Sequence, residues 1–491
     1  MQHMYDHTIL TAPINKLPTE LLIDIFLLVL KKRCHNPHCT GGNRSENRIR
    51  YPDRLAHVCY RWHEIVISLP LLWTHIDLNP RTSMSGSLVH HARNYTNRAG
   101  RLTLDLHLDD RGCTRTGACI IEDIVSFTAD RTQSLDFIIT SPEILHFHRF
   151  VFEQMIPRLS PRVFKTLRIS CEVSLPDPFI AGRDSDPWLV QDSDNPNDYD
   201  WGPNILRWKQ EIINNSFSGV ANLHLQGVFF NWSSMLYHGL IDLRLTSPPI
   251  GRATDIDIYT LNLVLSKCPG LQIFHFSLQL ITHEVADDEV FFEQPCDPVS
   301  LPVLEVIEVS TAHAYTGGRP SFHAGSLLRL LAPGSKPLRL TLETGHSPNE
   351  PLFNSDGMKE FLARSRVELL CVRSGHPLMD ELRLCHLPDL KVLMFDSCRR
   401  ISASPNPNWS LEVQSFFVNA TTLNLKDLHS MVRLCRNELV LSMCRVLPML
   451  ADEKKAHFMP QEELQAMFPT VKFTPSERLW CDLVARWDIL D

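Results

Sequence analysis

The pattern of hydrophobic and polar residues changes character near residue 100 of the 491-residue chain. Before this point, apolar residues recur every three or four positions, which is typical of helices with one buried side. Beyond it, short runs alternate apolar and polar residues and are separated by helix-compatible sequence. The pattern therefore predicts a small helical head and a long body in which strands are joined by helices.

The first predicted helix of the head contains the run "TELLIDIFLLVL". It begins at Pro18, because a missing N–H costs nothing in the first turn of a helix. Leu21 and Ile25 share one stripe, and Leu22 and Phe26 widen it until nearly the whole circumference is apolar. One small neighbouring face cannot cover so broad a surface, so we expect a further surface to cover it.

The remainder of the head carries a second helical pattern, "RLAHVCYRWHEIVISLP", which predicts one helix that ends before Pro70. Leu72 and Trp73 follow on a short turn, and Ile76 and Leu78 alternate as in a strand. The apolar run at 21–30 has only ten residues and contains one charge, whereas a membrane span needs about 20 apolar residues. No small-residue cleavage site follows it, so we expect neither a membrane anchor nor a secretory leader.

The body contains nine strand-like runs at irregular intervals. They are "RLTLDLHL", "QSLDFIIT", "FKTLRIS", "ANLHLQG", "LIDLRLT", "LQIFHFS", "LPVLEVIEVS", "PLRLTLE" and "LKVLMFDSC". Several fit L-x-x-L-x-L when other apolar residues replace Leu, and the run from Leu390 continues through Cys398 to Ile401. This run is similar to the cysteine-containing leucine-rich repeat, in which the Cys lies just past the strand.

Each unit of the body has too few apolar residues for a core of its own, so stacked units would share one. The predicted fold class is therefore α/β, an irregular leucine-rich solenoid with parallel strands on its concave face. Acidic insertions interrupt it near 177–203 and 284–297. The run "FTPSERLWCDLVARWDIL" predicts a terminal capping helix. The expected domains are the head at 13–78, the body at 79–450 and a helical cap at 451–491.

A resemblance to a known family rests on residues 14–78, "INKLPTELLIDIFLLVL" followed by "LAHVCYRWHEIVISLPLLWTHIDL". Together these segments resemble an F-box, in the form found in fungal proteins with a leucine-rich body. The resemblance implies that the head docks on a Skp-type adaptor and through it on a cullin-RING ubiquitin ligase. It implies an adaptor-binding surface, or its support, at Leu17, Pro18, Leu21, Leu22, Ile25, Phe26, Val58, Cys59, Trp62, Leu72 and Trp73. A long insertion between the helices departs from the family pattern, and a helical cap buried against the body is the alternative.

Charge and cysteine usage narrow the classes of partner and compartment. Residues 1–100 carry 12 Lys and Arg against 7 Asp and Glu, whereas the remainder is acidic and the whole chain has a formal charge of -8. No dense Lys/Arg stripe with interleaved aromatic residues is present, so we do not expect nucleic-acid binding. Fourteen cysteines without a CxxC pair favour reduced thiols, and hence the cytoplasm or nucleus.

Signatures of common enzymes are missing from the sequence. It contains no HExxH, P-loop, GxGxxG or GxSxG motif. Cys34, His35, His38 and Cys39 are four potential zinc ligands, but structural zinc usually takes two separated pairs, so we expect a polar loop and no metal or cofactor. The sequence favours a non-catalytic substrate receptor for an unknown protein target; the alternatives are a leucine-rich scaffold without ubiquitin transfer and an α/β enzyme.

Overall fold

The structure is a computed structural model of the chain. The residues that it describes are 13–34, 51–78, 85–110, 115–140, 145–172, 175, 178–182, 205–206, 208–249, 254–281, 297–311, 322–343, 353, 355–373, 387–398, 401, 413–448 and 458–474. Within these residues the protein has the predicted α/β architecture, with a fourteen-stranded parallel sheet and twelve α-helices. No helix in these ranges is long and apolar enough to cross a membrane.

The strands of the large sheet lie in the same order as in the chain. They are β1 (His75–Leu78), β2 (Leu104–Asp109), β3 (Thr132–Ile139), β4 (Thr166–Cys171), β5 (Asn222–Gln226), β6 (Asp242–Thr246), β7 (Ile273–Ser277), β8 (Val306–Ser310), β9 (Leu338–Glu343), β10 (Val367–Arg373), β11 (Val392–Asp396), β12 (Val413–Asn419), β13 (Cys435–Ser442) and β14 (Val471–Thr474). All nine runs predicted in the body form strands of this sheet.

The helices lie between these strands or before them. They are α1 (Thr19–Cys34), α2 (Tyr51–Ala56), α3 (Tyr60–Ser68), α4 (Ser85–Arg98), α5 (Arg115–Thr128), α6 (Leu145–Met155), α7 (Gln210–Phe217), α8 (Ile258–Ser266), α9 (Ala324–Leu328), α10 (Asp356–Arg364), α11 (Leu425–Leu434) and α12 (Gln461–Met467). The single helix predicted before Pro70 is wrong, because α2 and α3 are separate. Cys59 is extended, with φ of -161° and ψ of 168°, and so interrupts the helical backbone between them.

The chain divides into two compact units. The first unit comprises Met1–Asp136 and Phe150–Phe164, and the second unit comprises Phe137–Arg149 and Lys165–Asp491. The domain boundaries expected after residues 78 and 450 stay predictions. The Cys34–Cys39 cluster beyond its first residue, most of both acidic insertions and the predicted C-terminal helix lie outside the described residues.

The core of the first unit is built on large aromatic side chains. Phe26 of α1 is buried, and its ring meets the ring of Trp62 edge-on at 4.8 Å between centroids. Trp73 is also buried; its indole N–H donates to the carbonyl of Val66 at 2.8 Å, and its ring packs edge-on against Tyr95 at 4.9 Å. Edge-to-face packing satisfies the ring quadrupoles, and the bonded N–H removes the cost of burying the indole.

Some strands of the second unit bury one face and leave the other half-buried, whereas β7 is buried on both faces. In β4 the buried residues Leu167 and Ile169 alternate with the half-buried Arg168 and Ser170. The same alternation, with a period of two residues, is present in the L-x-x-L-x-L runs from which the strands are predicted. Buried apolar residues also recur at matching register positions of neighbouring strands, as at Leu167, Leu223 and Leu243.

A recurring turn ends several strands of the second unit. Ser397, Ala420 and Met443 follow β11, β12 and β13 with φ of 54°, 46° and 51°, in the left-handed region. The next residue points back to the backbone: Cys398 Sγ donates to the carbonyl of Val372 at 3.6 Å, and Cys444 Sγ donates to that of Val418 at 3.3 Å. The expectation that Cys398 lies just past its strand is therefore confirmed.

Candidate functional site

The outer face of α1 carries an exposed apolar stripe. Leu21, Ile25 and Leu28 are 49%, 38% and 65% exposed, and they are spaced at i, i+4 and i+7. This spacing places them on one side of an α-helix. Ile14, in the 3₁₀ turn that precedes the helix, is 40% exposed and lies seven residues before Leu21. These four residues are called the α1 stripe below.

The inner face of the same helix is held by the core. Leu22 and Phe26 are fully buried. The start of α1 is tied to α3, because Arg61 Nη2 donates to the carbonyl of Leu17 at 2.7 Å and lies 3.4 Å from the hydroxyl of Thr19. The helix is therefore anchored on one side while its opposite side presents apolar surface to solvent.

The residues implied by the F-box resemblance separate into three environments. Pro18, Leu21, Ile25 and Val58 are exposed; Leu17, Cys59 and Trp62 are half-buried; Leu22, Phe26, Leu72 and Trp73 are buried. The buried members support the head, and only the exposed members are placed to contact a partner.

Several exposed apolar residues of the head were not among the implied set. Leu28, Tyr60 and Leu71 are 65%, 79% and 48% exposed. The heptad spacing from Leu21 would have identified Leu28. Tyr60 is the first residue of α3 and Leu71 the second residue of the Pro70–Trp73 turn, and no periodicity marks such terminal positions.

The second unit contains a different candidate feature, a row of residues on one face of its strands, of which His275, Thr341, Cys371 and Met394 are buried and the others half-buried. One residue from each of nine successive strands lies in register across this face. This cross-strand row consists of Arg168, His224, Arg244, His275, Glu308, Thr341, Cys371, Met394 and Phe417. It begins with charged residues and ends with apolar ones.

At the charged end of the row, the carboxylate of Asp242 contacts both an imidazole and a guanidinium. Asp242 accepts a hydrogen bond from His224 Nε2 at 2.8 Å and another from Arg244 Nε at 2.9 Å. Burial alone would raise the pKa of Asp242, but His224 and the Arg244 guanidinium hold it well below its usual range. Burial lowers the pKa of His224 to about 4, against the opposing effect of the Asp242 carboxylate. At neutral pH the group therefore consists of a neutral imidazole, a carboxylate and a guanidinium.

A second charged group lies further along the same face. Arg373 Nη1 donates to Glu308 at 2.6 Å, and its Nε lies 3.6 Å from Asp396. Burial alone would lower the pKa of Arg373, and the carboxylates of Glu308 and Asp396 raise it instead. Asn419 Nδ2 extends the chain of contacts by donating to Asp396 at 2.8 Å. The arginine of β10 is thus held between a carboxylate on the adjacent strand β11 and one on β8, two strands away in the sheet.

At the apolar end of the row, three side chains form a small hydrophobic cluster. Cys371 and Met394 are both 1% exposed, and Phe417 packs against them. Burial raises the pKa of the Cys371 thiol, and it raises that of Cys398 to about 12. These thiols are protonated at neutral pH, and a protonated thiol is a weak nucleophile and a weak metal ligand.

Comparisons of the chain with protein-family models and with curated proteins find no match. The α1 stripe and the cross-strand row are therefore the candidate functional features of the described residues.

Proposed function

We propose that this protein is the non-catalytic substrate-recognition subunit of an SCF-type ubiquitin ligase. In this proposal the head is an F-box that binds a Skp-type adaptor, and the body is an irregular leucine-rich solenoid that binds a protein target. The observation that carries the proposal is the α1 stripe, an exposed apolar face on a helix whose other face is buried.

The α1 stripe supports a protein partner because of its chemistry. Its members are large aliphatic residues, and burying the apolar surface that they still expose stabilises a complex by about 25 cal/mol per Å². Such residues are ordinary when scattered singly on a surface, but a contiguous stripe is typical of an interface. The excess of Lys and Arg in residues 1–100 suits an acidic partner.

The body supports the repeat interpretation through its local geometry. Consecutive strands pair in parallel, and shorter parallel pairs follow them, such as Thr422–Asn424 with Arg445–Leu447. The turns after β11 and β13 place a Cys at the same position, where its thiol reaches the carbonyl of an adjacent strand. A stack of such units presents one long strand face. The members of the cross-strand row that keep some exposed surface are Arg168, His224, Arg244, Glu308 and Phe417, and this mainly charged set suits recognition of a polar protein segment.

Under this proposal the chain does no bond-making chemistry. Its contribution to ubiquitin transfer is proximity: it holds a lysine of the target near the ubiquitin thioester, so that a bimolecular step becomes effectively intramolecular.

The first test is adaptor binding by the variant Leu21→Asp with Ile25→Asp. Two charges on a desolvated apolar face cost several kcal/mol, so we expect affinity for a purified Skp-type adaptor to fall by about 100-fold or more. Titration calorimetry with the full-length chain measures the loss. Phe26 is left unchanged because it is buried, and a charge there would unfold the head.

The matched control is Tyr259→Asp with Leu263→Asp on α8. These two residues are also spaced at i, i+4, and both are 51% exposed. The control should bind the adaptor like the wild-type chain. Undiminished binding by the α1 variant would contradict the docking assignment. An adaptor complex that never recruits a cullin would favour a leucine-rich scaffold without ubiquitin transfer.

A further inference from the structure

Three side chains with metal-ligating atoms converge on the first two strands of the sheet. His75 and Asp77 lie on β1, and His107 lies on β2 as the direct register partner of Asp77. Their ligand atoms all lie within 4.8 Å of one another. All three residues belong to the first unit and are half-buried.

The distances within this group suit a single ion. His75 Nε2 lies 3.5 Å from Asp77 Oδ1, and the rings of His75 and His107 lie 4.0 Å apart between centroids. Ligand atoms around a tetrahedral zinc ion, at bond lengths near 2.1 Å, are separated by about 3.4 Å. The widest separation in the group exceeds this by roughly 1.4 Å, a distance that side-chain rotation can close.

A further carboxylate stands behind one of the histidines. Asp136 on β3 has its Oδ2 atom 3.3 Å from His107 Nδ1. In metal sites a ligating histidine almost always donates its other ring N–H to a carboxylate, a carbonyl or water, which fixes the ring and raises its basicity. Asp136 supplies this contact, and it leaves the second nitrogen of His107 for an ion.

The surrounding charge also favours a cation. Asp105 is the register partner of His75 on the neighbouring strand. The strands β1, β2 and β3 contain no Lys or Arg in their sequences "HIDL", "LDLHLD" and "TQSLDFII". The charged side chains that these strands place beside the two histidines are therefore carboxylates, which attract a divalent cation.

We propose that His75, Asp77 and His107 bind a divalent first-row transition metal ion, with Asp136 orienting His107. Two imidazole nitrogens and one carboxylate oxygen suit zinc, cobalt, nickel or ferrous iron, whereas magnesium and calcium prefer oxygen ligands throughout. With three protein ligands the ion keeps at least one position for water or another ligand. The ion cross-links β1 and β2 and so stabilises the first unit in proportion to its occupancy.

The test is binding of Zn²⁺ and Co²⁺ to the full-length chain after treatment with a chelator. Calorimetry gives the affinity and stoichiometry for Zn²⁺, and the absorption of Co²⁺ reports the ligand type. We expect Asp77→Asn and His107→Gln to weaken binding at least tenfold. Asp136→Asn should weaken it by about 10–100-fold, the range found for outer carboxylates of metal sites. His63→Gln, at an exposed histidine of the same unit, is the matched control and should bind like the wild type.

A second control separates this group from the Cys34–Cys39 segment. The variant Cys34→Ser with Cys39→Ser should retain the cobalt spectrum of a nitrogen and oxygen site. The proposal is overturned if this variant loses all binding, if His107→Gln binds as tightly as the wild type, or if neither ion binds the wild-type chain. Near-ultraviolet circular dichroism of the metal-free variants checks folding. Asp77 is 40% exposed, so its variant stays informative should the His107 variant misfold.

Discussion

Two stretches of the sheet place histidine beside aspartate, and they differ in the charge that surrounds the pair. On β1–β3 of the first unit, His75 and His107 lie near Asp77 and Asp136, on strands without Lys or Arg. In the second unit, His224 shares Asp242 with an arginine. On the strands of the first arrangement the charged side chains are carboxylates, whereas the second arrangement contains the guanidinium of Arg244. A histidine beside an aspartate therefore does not by itself indicate a metal site; the presence or absence of a neighbouring arginine or lysine distinguishes the two groups.

The largest effect on the free energy of unfolding is expected at the second of these groups, in which Arg244 is the cation. Asp242→Ala removes the carboxylate shared by His224 and Arg244 and leaves a nearly buried guanidinium without this partner. Losing one member of a buried ion pair costs about 3–5 kcal/mol of unfolding free energy. Urea denaturation of the full-length chain measures this loss.

Asp389→Ala serves as the exposed counterpart of that substitution. Asp389 is 49% exposed and lies 3.8 Å from Arg366, so its removal should cost less than about 1 kcal/mol. If the Asp242 variant is no less stable than the Asp389 variant, the Asp242 carboxylate is not needed to neutralise the charge of Arg244.

The pH dependence of stability gives the next effect. The folded pKa of His224, about 4, lies below the value of about 6.5 in an unfolded chain, so the unfolded state takes up a proton first on acidification. Stability is therefore lost as pH falls from about 6.5 towards 4. Asp242, whose folded pKa is also lowered, adds a further loss as pH falls below about 4.

His224→Gln tests the assignment of the first part of this loss. Glutamine keeps an N–H donor for Asp242 but does not titrate. The variant should show a flatter stability profile between pH 6.5 and 4, measured by thermal unfolding across that range. A profile that matches the wild type would show that other groups cause the decline.

The smallest effect is expected at the group proposed to bind an ion. Asp77 is 40% exposed, so Asp77→Asn in the metal-free chain should change the unfolding free energy by less than about 0.5 kcal/mol. The same substitution should remove the stabilisation gained from Zn²⁺. A large loss of unfolding free energy in the metal-free variant would show that Asp77 has a structural role like that of Asp242. The two groups would then not differ in function.

Much of the sheet could be predicted from the sequence, because strands such as β4 and β5 bury one face and so alternate apolar and polar residues. The strands β10, β12, β13 and β14 were not predicted. Their sequences are "VELLCVR", "VQSFFVN", "CRNELVLS" and "VKFT"; the second and fourth contain no leucine, and the first and third contain only two leucines each. Any apolar side chain of suitable volume can fill a stacked layer, so packing does not require the leucine on which the pattern relied.

The candidate sites were less predictable, because both depend on which neighbour covers a residue. The first helix is apolar on nearly all sides, and only its contact with Trp62 shows that Phe26 faces inward while Ile25 faces out. His75 and His107 are separated by 32 positions in the chain, and strand pairing alone brings them together. Sequence spacing carries no information about such a register.

The agreement between strand order and chain order has a consequence for synthesis. Each strand of the large sheet pairs with the strands that come immediately before and after it in the sheet's chain order. As the polypeptide leaves the ribosome, each new strand therefore finds its partner already exposed and in place. The sheet can grow one strand at a time during translation, without waiting for a distant segment to be made.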